Sequence, residues 1–568
     1  MPGFVRGGIR FLSSEVRGLQ AAVYILALSA LLSSLLALVR DRLFAAQFGA
    51  GAELDLYYAA FRIPDLLFVA TGALVSVYVL IPQLSARDRE GQLRYIDTII
   101  AGFSALALLC AGVAAFFAPS LLRFFFPVFF AEGWGDALVG ITRILLLQPI
   151  FLGLSNILAA ITQARQRYAL YAISPLLYNL GIIFGLLVFF PLWGLSGLAW
   201  GVVLGSLLHA GIQLPSIIAD GFLKSLPWIR EPQALLATAV VSVPRALTLA
   251  MSQIIFLGLT ALASALAPGS IAVFMFAFNL QAVPLSIVGA SYSVAAFPTL
   301  ASALSEGRRE EFVEHITIAA RYVFFWSLPI SALVLVLRAH LVRVVLGSGA
   351  FDWTDTRLTA AAFALMALSL AAQGLTLLLA RGYYAAGRTL VPLFVALGSA
   401  IATIALAMQF IELLKDERLL VTLQQLLRLE DVSGSSVLAL ALAYAIVSII
   451  GCIVLVAHFE YAFGGFMVRT RDSLLHALAA ALAAAGAAYL VLTVVGPLTL
   501  SSTLLSVFLR GAAGGVAGIL AAALAYALLG NREYAETISG IRSRLWRGSL
   551  KKTPPIASAE EATVSGPQ

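Results

Sequence analysis

Charge is what this chain has least of. Only 11% of its 568 residues are Asp, Glu, Lys or Arg, while 61% are hydrophobic and the mean hydropathy is +0.97. A soluble domain carries about 25% charge, so the composition excludes an ordinary water-soluble globule. Cysteine is nearly absent. Cys110 and Cys452 each sit inside an apolar run, which excludes a disulfide framework. The five histidines, including His458 near Glu460, show no ligand spacing and give metal or acid-base chemistry no support. There is no Walker-type phosphate loop, so no cofactor is expected and ATP is not the direct energy source. No basic-aromatic groove points to nucleic acid.

What the chain does have is apolar runs of membrane-spanning length. Fourteen are expected, at about 20–39, 58–84, 96–118, 140–162, 169–190, 194–217, 237–264, 271–300, 316–345, 359–381, 389–411, 435–457, 474–495 and 506–529. An even count puts both termini on one side. The cations say which side: with the amino terminus inside, 22 of the 36 Lys and Arg fall in inner segments and eleven in outer ones. That bias obeys the positive-inside rule and explains the net charge of +7 by anionic lipid headgroups. The basic residues before the first run precede no convincing cleavage site, so residues 1–19 read as a cytoplasmic segment. Residues 531–568 read as a cytoplasmic tail, disordered from Lys551 on.

Two halves echo each other. Pro82-Gln83-Leu84 with Glu90-Gly91 recurs as Pro298-Thr299-Leu300 with Glu306-Gly307, and Pro175 recurs as Pro392 at nearly the same shift. Six helices per half fit that shift, giving a first lobe at 20–230, a second at 231–460, and two further helices within 461–530. Parallel repeats of this kind place a substrate path between the lobes. Residues 412–433 carry Leu-rich, charged spacing that suits a short amphipathic helix on the outer surface. The fold class is therefore an all-α polytopic membrane protein with about 14 transmembrane helices.

Polar residues inside the apolar runs are the candidates for function. Ionised groups at the bilayer centre cost at least about 2.5–3.5 kcal/mol and face polar cavities. Arg40, Asp41, Asp55, Arg62 and Asp65 interrupt the first two runs, and Pro64 leaves a carbonyl one turn earlier without its helical donor. The second half offers Arg245, Asn279 and Gln281. For the last two, a helix-helix hydrogen bond competes evenly with a ligand contact.

The string Arg40-Asp41, Phe48-Gly49-Ala50-Gly51, Asp55 and Ala60-Phe61-Arg62-Ile63-Pro64 resembles the MurJ (MviN-type) lipid II flippase family, within the multidrug/oligosaccharidyl-lipid/polysaccharide exporter superfamily. The resemblance implies a multi-pass protein of the bacterial inner membrane, not an enzyme, working as a monomer by alternating access. The implied cargo is lipid II, carried outward for cell-wall assembly, with membrane lipids as the other partners. Arg40, Arg62, Arg245, Asn279 and Gln281 would bind cargo, and Asp41, Asp55 and Asp65 would pair charges or gate. The chain departs from the family pattern at three places. Ser33-Ser34 stands for a serine-arginine pair, Phe68-Val69 for two arginines, and Ala277-Phe278-Asn279 for Ala-Asp-Arg. Two alternatives share the fold: a flippase for another polyprenyl-linked oligosaccharide of O-antigen type, and a cation-coupled multidrug exporter. A membrane scaffold without transport would gain little from Arg62 beside Pro64. The driving force is expected from the membrane potential or from an H+ or Na+ gradient.

Overall fold

In a computed structural model, residues 19–72, 77–496 and 502–547 are described, and every regular element among them is helical. The expected tail beyond 547 and the segment before 19 lie outside the described residues. The first half of the chain gives α1 (Leu19–Phe48), α2 (Ala52–Ala60), α3 (Arg62–Gly72), α4 (Val77–Ser85), α5 (Arg89–Phe125), α6 (Pro127–Ala131), α7 (Gly135–Leu145), α8 (Leu147–Ala164), α9 (Tyr168–Phe184), α10 (Phe190–Trp193), α11 (Leu195–Gly211) and α12 (Leu214–Ala219). The second half gives α13 (Pro232–Ser264), α14 (Ser270–Leu285), α15 (Ser291–Ser305), α16 (Arg309–Leu346), α17 (Trp353–Ala367), α18 (Leu370–Ala385), α19 (Leu390–Leu413), α20 (Glu417–Leu427) and α21 (Leu438–Phe463). Then follow α22 (Phe466–Val495), α23 (Leu504–Leu528) and α24 (Arg532–Arg547). Single π turns, Gly185–Phe189 and Ser286–Ala290, extend α9 and α14.

The chain is an all-α polytopic membrane protein. Among the described residues, eleven continuous helices are long and apolar enough to span, and α17 with α18 makes a twelfth bent by 46°. The expected count of fourteen includes two segments that fall outside these. Segment 20–39 lies within α1, and segment 58–84 is broken into α2, α3 and α4, with 73–76 outside the described residues. The break has a local cause. Pro64 stands in the first turn of α3, where an absent N–H costs least. The carbonyl it orphans, Ala60 O, receives the Thr142 hydroxyl of α7 at 3.4 Å. Pro82 lies inside α4, ahead of the long α5, and Pro298 lies in α15, ahead of the long α16.

The buried apolar residues fall into two clusters. One buried apolar cluster joins both halves, from Phe44, Tyr57 and Phe103 to Phe276, Phe351 and Val437. A second, with Leu300, Phe312, Tyr383, Phe459 and Tyr526, is drawn from the later half alone. The two halves therefore share one core, which at its far end takes in Leu235 and Ala239 of α13 against Tyr95 and Ile99 of α5, and the later half has a further core of its own. Within the first half, α9 and α11 touch backbone to backbone. A Cβ on Gly201 would stand 2.4 Å from Gly185 Cα, and one on Gly181 2.2 Å from Gly205 Cα. Small residues permit this approach, as at many membrane helix pairs.

Candidate functional site

The end of α1 carries Arg40 and Asp41, and their side chains form the centre of a polar link between the halves. Arg40 donates through Nε and Nη2 to Asp41 Oδ1 at 3.0 and 2.8 Å, and through Nη1 to Asn179 Oδ1 of α9 at 3.1 Å. The other carboxylate oxygen, Asp41 Oδ2, receives Asn279 Nδ2 of α14 at 3.0 Å. Asn179 in turn donates to Pro175 O at 3.1 Å and to Ser33 Oγ at 3.5 Å. Asp41 is buried, whereas the Arg40 side chain keeps 19% of its surface exposed. One carboxylate thus balances the guanidinium and ties the halves together. An unpaired charge here would pay several kcal/mol, by order of magnitude, for desolvation.

Arg62 lies one helix away. Its Nε donates to Tyr58 O at 3.1 Å, and its guanidinium carbon stands 5.9 Å from the Phe256 ring centroid on α13. Asp65 is 3.8 Å away on the next turn and is the more exposed of the pair. Gln148 Nε2 of α8 donates to Tyr178 Oη at 3.1 Å, next in sequence to Asn179.

Asp55 does something different. Its two oxygens accept the backbone N–H groups of Gly269 and Ala272, both at 2.7 Å. It therefore caps the first turn of α14 from the opposite half and complements that helix's positive end. The same seam holds Ala350 N on Ala46 O at 2.9 Å, Ala50 N on Asp355 Oδ2 at 3.0 Å, and Arg42 Nη1 on Val344 O and Val345 O at 2.7 and 3.1 Å. Arg42 thus satisfies carbonyls at the end of α16. Two glycines let the chains meet: a Cβ on Gly269 would stand 1.9 Å from Ala50 O, and one on Gly349 2.2 Å from Ala46 O. Both have positive φ, 88° and 57°, which disfavours any side chain. At this end the halves are closed against each other.

The sequence candidates divide accordingly. Arg40, Asp41 and Asn279 come together, with Arg62 and Asp65 as a second pair close by. Gln281 stands apart: its Nε2 donates to Met366 O of α17 at 2.8 Å, a bond within the second half. Arg245 lies on α13, with its side chain outside those described. Asn179, Arg42 and Asp355 were not marked by sequence reasoning as site residues. Asn179 had a signal, a lone amide in an apolar helix one turn after Pro175. Asp355 had none, because it also reads as the capping partner of Asp352 at the start of α17.

Comparison with known proteins agrees with this architecture. The profile of the family described as lipid II flippase MurJ matches residues 44–509. Among named relatives, the probable lipid II flippase MurJ of Rhizobium tropici is 25% identical over 372 residues, covering 64% of this chain and 70% of the relative. The lipid II flippase MurJ of Burkholderia cenocepacia is 25% identical over 385 residues, covering 66% and 74%. A solved lipid II flippase MurJ in an inward closed conformation superposes with a TM-score of 0.71 at 21% identity, covering 89% of this chain and 99% of that one. An inward-facing multidrug transporter of the MATE family and MOP superfamily gives 0.61 at 14% identity, covering 79% and 99%, a likeness of fold. With a family profile matched across most of its length and the family's charged block folded into a seam between two halves, the chain belongs to the lipid II flippase MurJ family.

Proposed function

We propose that this protein moves lipid II, the undecaprenyl-diphosphate-linked cell-wall precursor, from the inner to the outer leaflet of the cytoplasmic membrane. The reading uses alternating access of two lobes, 20–230 and 231–460, with 461–530 outside the repeat and both termini cytoplasmic. The monomer is the working unit. The observation that carries it is the Arg40–Asp41–Asn279 link, a charge pair that joins the halves through the two oxygens of Asp41.

The geometry supports an exchange of partners. Arginine presents a fork of donors that remains charged in lipid and binds phosphate oxygens bidentately. An incoming diphosphate competes with Asp41 for Arg40, and Arg62 adds a second cation. Once Asp41 gives up Arg40, its bond to Asn279 no longer sits in a neutral cluster, and the tie between the lobes loosens. The seam held by Asp55 then opens outward. The membrane potential biases the cycle, because an anionic cargo leaving a negative interior gains roughly 2.3 kcal/mol per 100 mV for each uncompensated charge. The empty carrier's arginines return in the direction the potential favours.

A second reading rests on one observation. Asn279 stands where the family pattern has arginine, and Ser33-Ser34 and Phe68-Val69 remove further cations. That favours a lipid-linked oligosaccharide with less anionic character in its headgroup. Complementation separates the two. Rescue of a strain depleted of its lipid II flippase, at matched expression, supports the first reading. Failure there, with restored surface glycan in a strain lacking an O-antigen flippase, supports the second.

A further inference from the structure

At the end of the first half opposite the seam, cations outnumber the carboxylates that could balance them. Phe48, at the seam, packs its ring 5.0 Å from Phe190, beyond the π turn that extends α9. The start of α9 therefore lies at the far end, with residues 165–167 just before it. There Arg167 occupies the one acid of α12's last turn, donating to Asp220 Oδ1 and Oδ2 at 2.9 Å each. Asp88 caps α5 by accepting the Gly91 N–H at 3.1 Å. The other ion pairs of this region join Arg94 to Glu90 and Glu231, and Arg230 to Asp97. Among the described residues, no ion pair reaches Arg89, Arg165 or Lys224.

These three cations converge. A Cβ placed on Gly221 would stand 3.5 Å from Lys224 Nζ and 3.6 Å from Arg89 Nη2. Arg89 donates through Nη2 to Asp220 O, and its guanidinium carbon lies 4.3 Å from the centroid of the buried Phe222 ring. Phe222 and Arg165 line one cavity of about 170 Å³ with Leu84, Ser85, Gln92 and Ile161. Arg165 stands close enough to Arg89 for the two charges to repel.

The backbone is bent to make this arrangement. Of the three non-glycine residues with positive φ among those described, two flank the cavity, Gln166 at 56° and Leu223 at 57°. Such conformations are costly for residues with a side chain and persist where the surroundings enforce them. Gln166 separates Arg165, at the cavity, from Arg167, on Asp220. Leu223 separates Phe222, under Arg89, from Lys224. Like charges gathered at one cavity call for an anion between them, and guanidinium forks with an ammonium suit the oxygens of a phosphate.

The next residues indicate where that phosphate comes from. Leu226 and Trp228 are 91% and 74% exposed, between Lys224 and Arg230. Their segment is fastened to α5 at both ends, by Phe222 against Arg89 and by the Arg230 and Glu231 N–H groups on Thr98 Oγ1 at 3.1 Å each. Exposed apolar side chains and a tryptophan beside cations, at the end of spanning helices, are the pattern of a membrane–water interface. A soluble phosphate would make no use of Leu226 and Trp228.

We propose that this cavity binds the phosphate of an anionic phospholipid, with Leu226 and Trp228 against its glycerol and upper acyl chains. On the topology expected from the sequence, the lipid belongs to the inner leaflet. Residues 220–231 join α12 to α13 and so connect the two halves. A bound lipid anchors that connection at the headgroup layer. The site is independent of the cargo.

The test is native mass spectrometry of the full chain, titrated in detergent with dioleoylphosphatidylglycerol, dioleoylphosphatidylcholine or inorganic phosphate. The parent protein should retain phosphatidylglycerol several-fold better than phosphatidylcholine. Arg89→Gln/Arg165→Gln/Lys224→Gln, folded by its melting curve, should bring the two lipids to parity. Arg388→Gln/Arg469→Gln/Arg471→Gln removes the same charge from the second half and should leave the preference intact. Ala164→Leu, at the cavity wall, keeps every charge and should lower phosphatidylglycerol retention several-fold. Equal losses in the two triple variants would reduce the preference to net charge and overturn the site. An Ala164→Leu protein that binds like the parent overturns it as well. Inorganic phosphate held as tightly as phosphatidylglycerol, and lost in the first triple variant, would assign the cavity to a soluble anion and overturn the lipid.

Discussion

Replacing Asp55 should open the seam between the halves without unfolding the protein. The buried carboxylate accepts the N–H groups of Gly269 and Ala272 at 2.7 Å each, the shortest polar contacts described between the first turn of α14 and the other lobe. Hydrogen bonds to a charged group contribute about 1.5–3 kcal/mol each, so Asp55→Ala forfeits on the order of 3 kcal/mol even at the lower end. With tenfold per 1.4 kcal/mol, the balance between closed and open seam moves about 10²-fold toward open. Asp55→Asn keeps one acceptor oxygen and should fall between. The assay is labelling by a membrane-impermeant maleimide at Val273→Cys, with Cys110 and Cys452 replaced. Val273 is 2% exposed and lines the crevice formed by Ala50, Gly269 and Asp355. Labelling from outside should rise steeply in Asp55→Ala while the melting temperature changes little. Equal labelling of the Asp55→Ala and parent proteins at equal expression would refute the claim that this cap holds the seam.

Other consequences are as direct. The double variant Arg40→Ala/Arg62→Ala should fail to complement a flippase-depleted strain, and the double Lys variant should recover part of the activity because it keeps charge but not the bidentate fork; full activity of the double Ala variant would remove both residues from the cargo path. Gly201→Ala places a methyl 2.4 Å from the Gly185 Cα, where only backbone can yield, so it should cost about 1–3 kcal/mol, seen as a lower melting temperature in detergent. Collapsing the membrane potential alone should slow headgroup export, by up to about forty-fold for one uncompensated charge at about 100 mV. Export that survives loss of potential but stops with loss of the pH or Na+ gradient would transfer the driving role to that ion.

The membrane class and most of the spans were legible in the sequence. Twelve of the fourteen apolar runs correspond to helices, or a bent pair of helices, that satisfy length and hydropathy. The reason is physical: in lipid every backbone polar group must be satisfied within its own segment, so hydropathy and helix coincide. Where Pro64 and Phe61 interrupt that rule, the run 58–84 broke into pieces, and the repair came from Thr142, more than seventy residues away. The chain also announced its charged block, since ions are expensive in an apolar run.

What charge could not announce was its partner. Asp41, Asp55 and Asp65 look alike along the sequence, yet Asp41 neutralises a guanidinium, Asp55 caps a helix of the other half, and Asp65 stands 3.8 Å from Arg62. Asn279 and Gln281 are two residues apart on one helix and point to different neighbours, Asp41 in one lobe and Met366 in the other. Which polar groups must exist in an apolar chain follows from composition and periodicity, which are local. Which of them meet depends on how two lobes close, and only tertiary packing sets that distance.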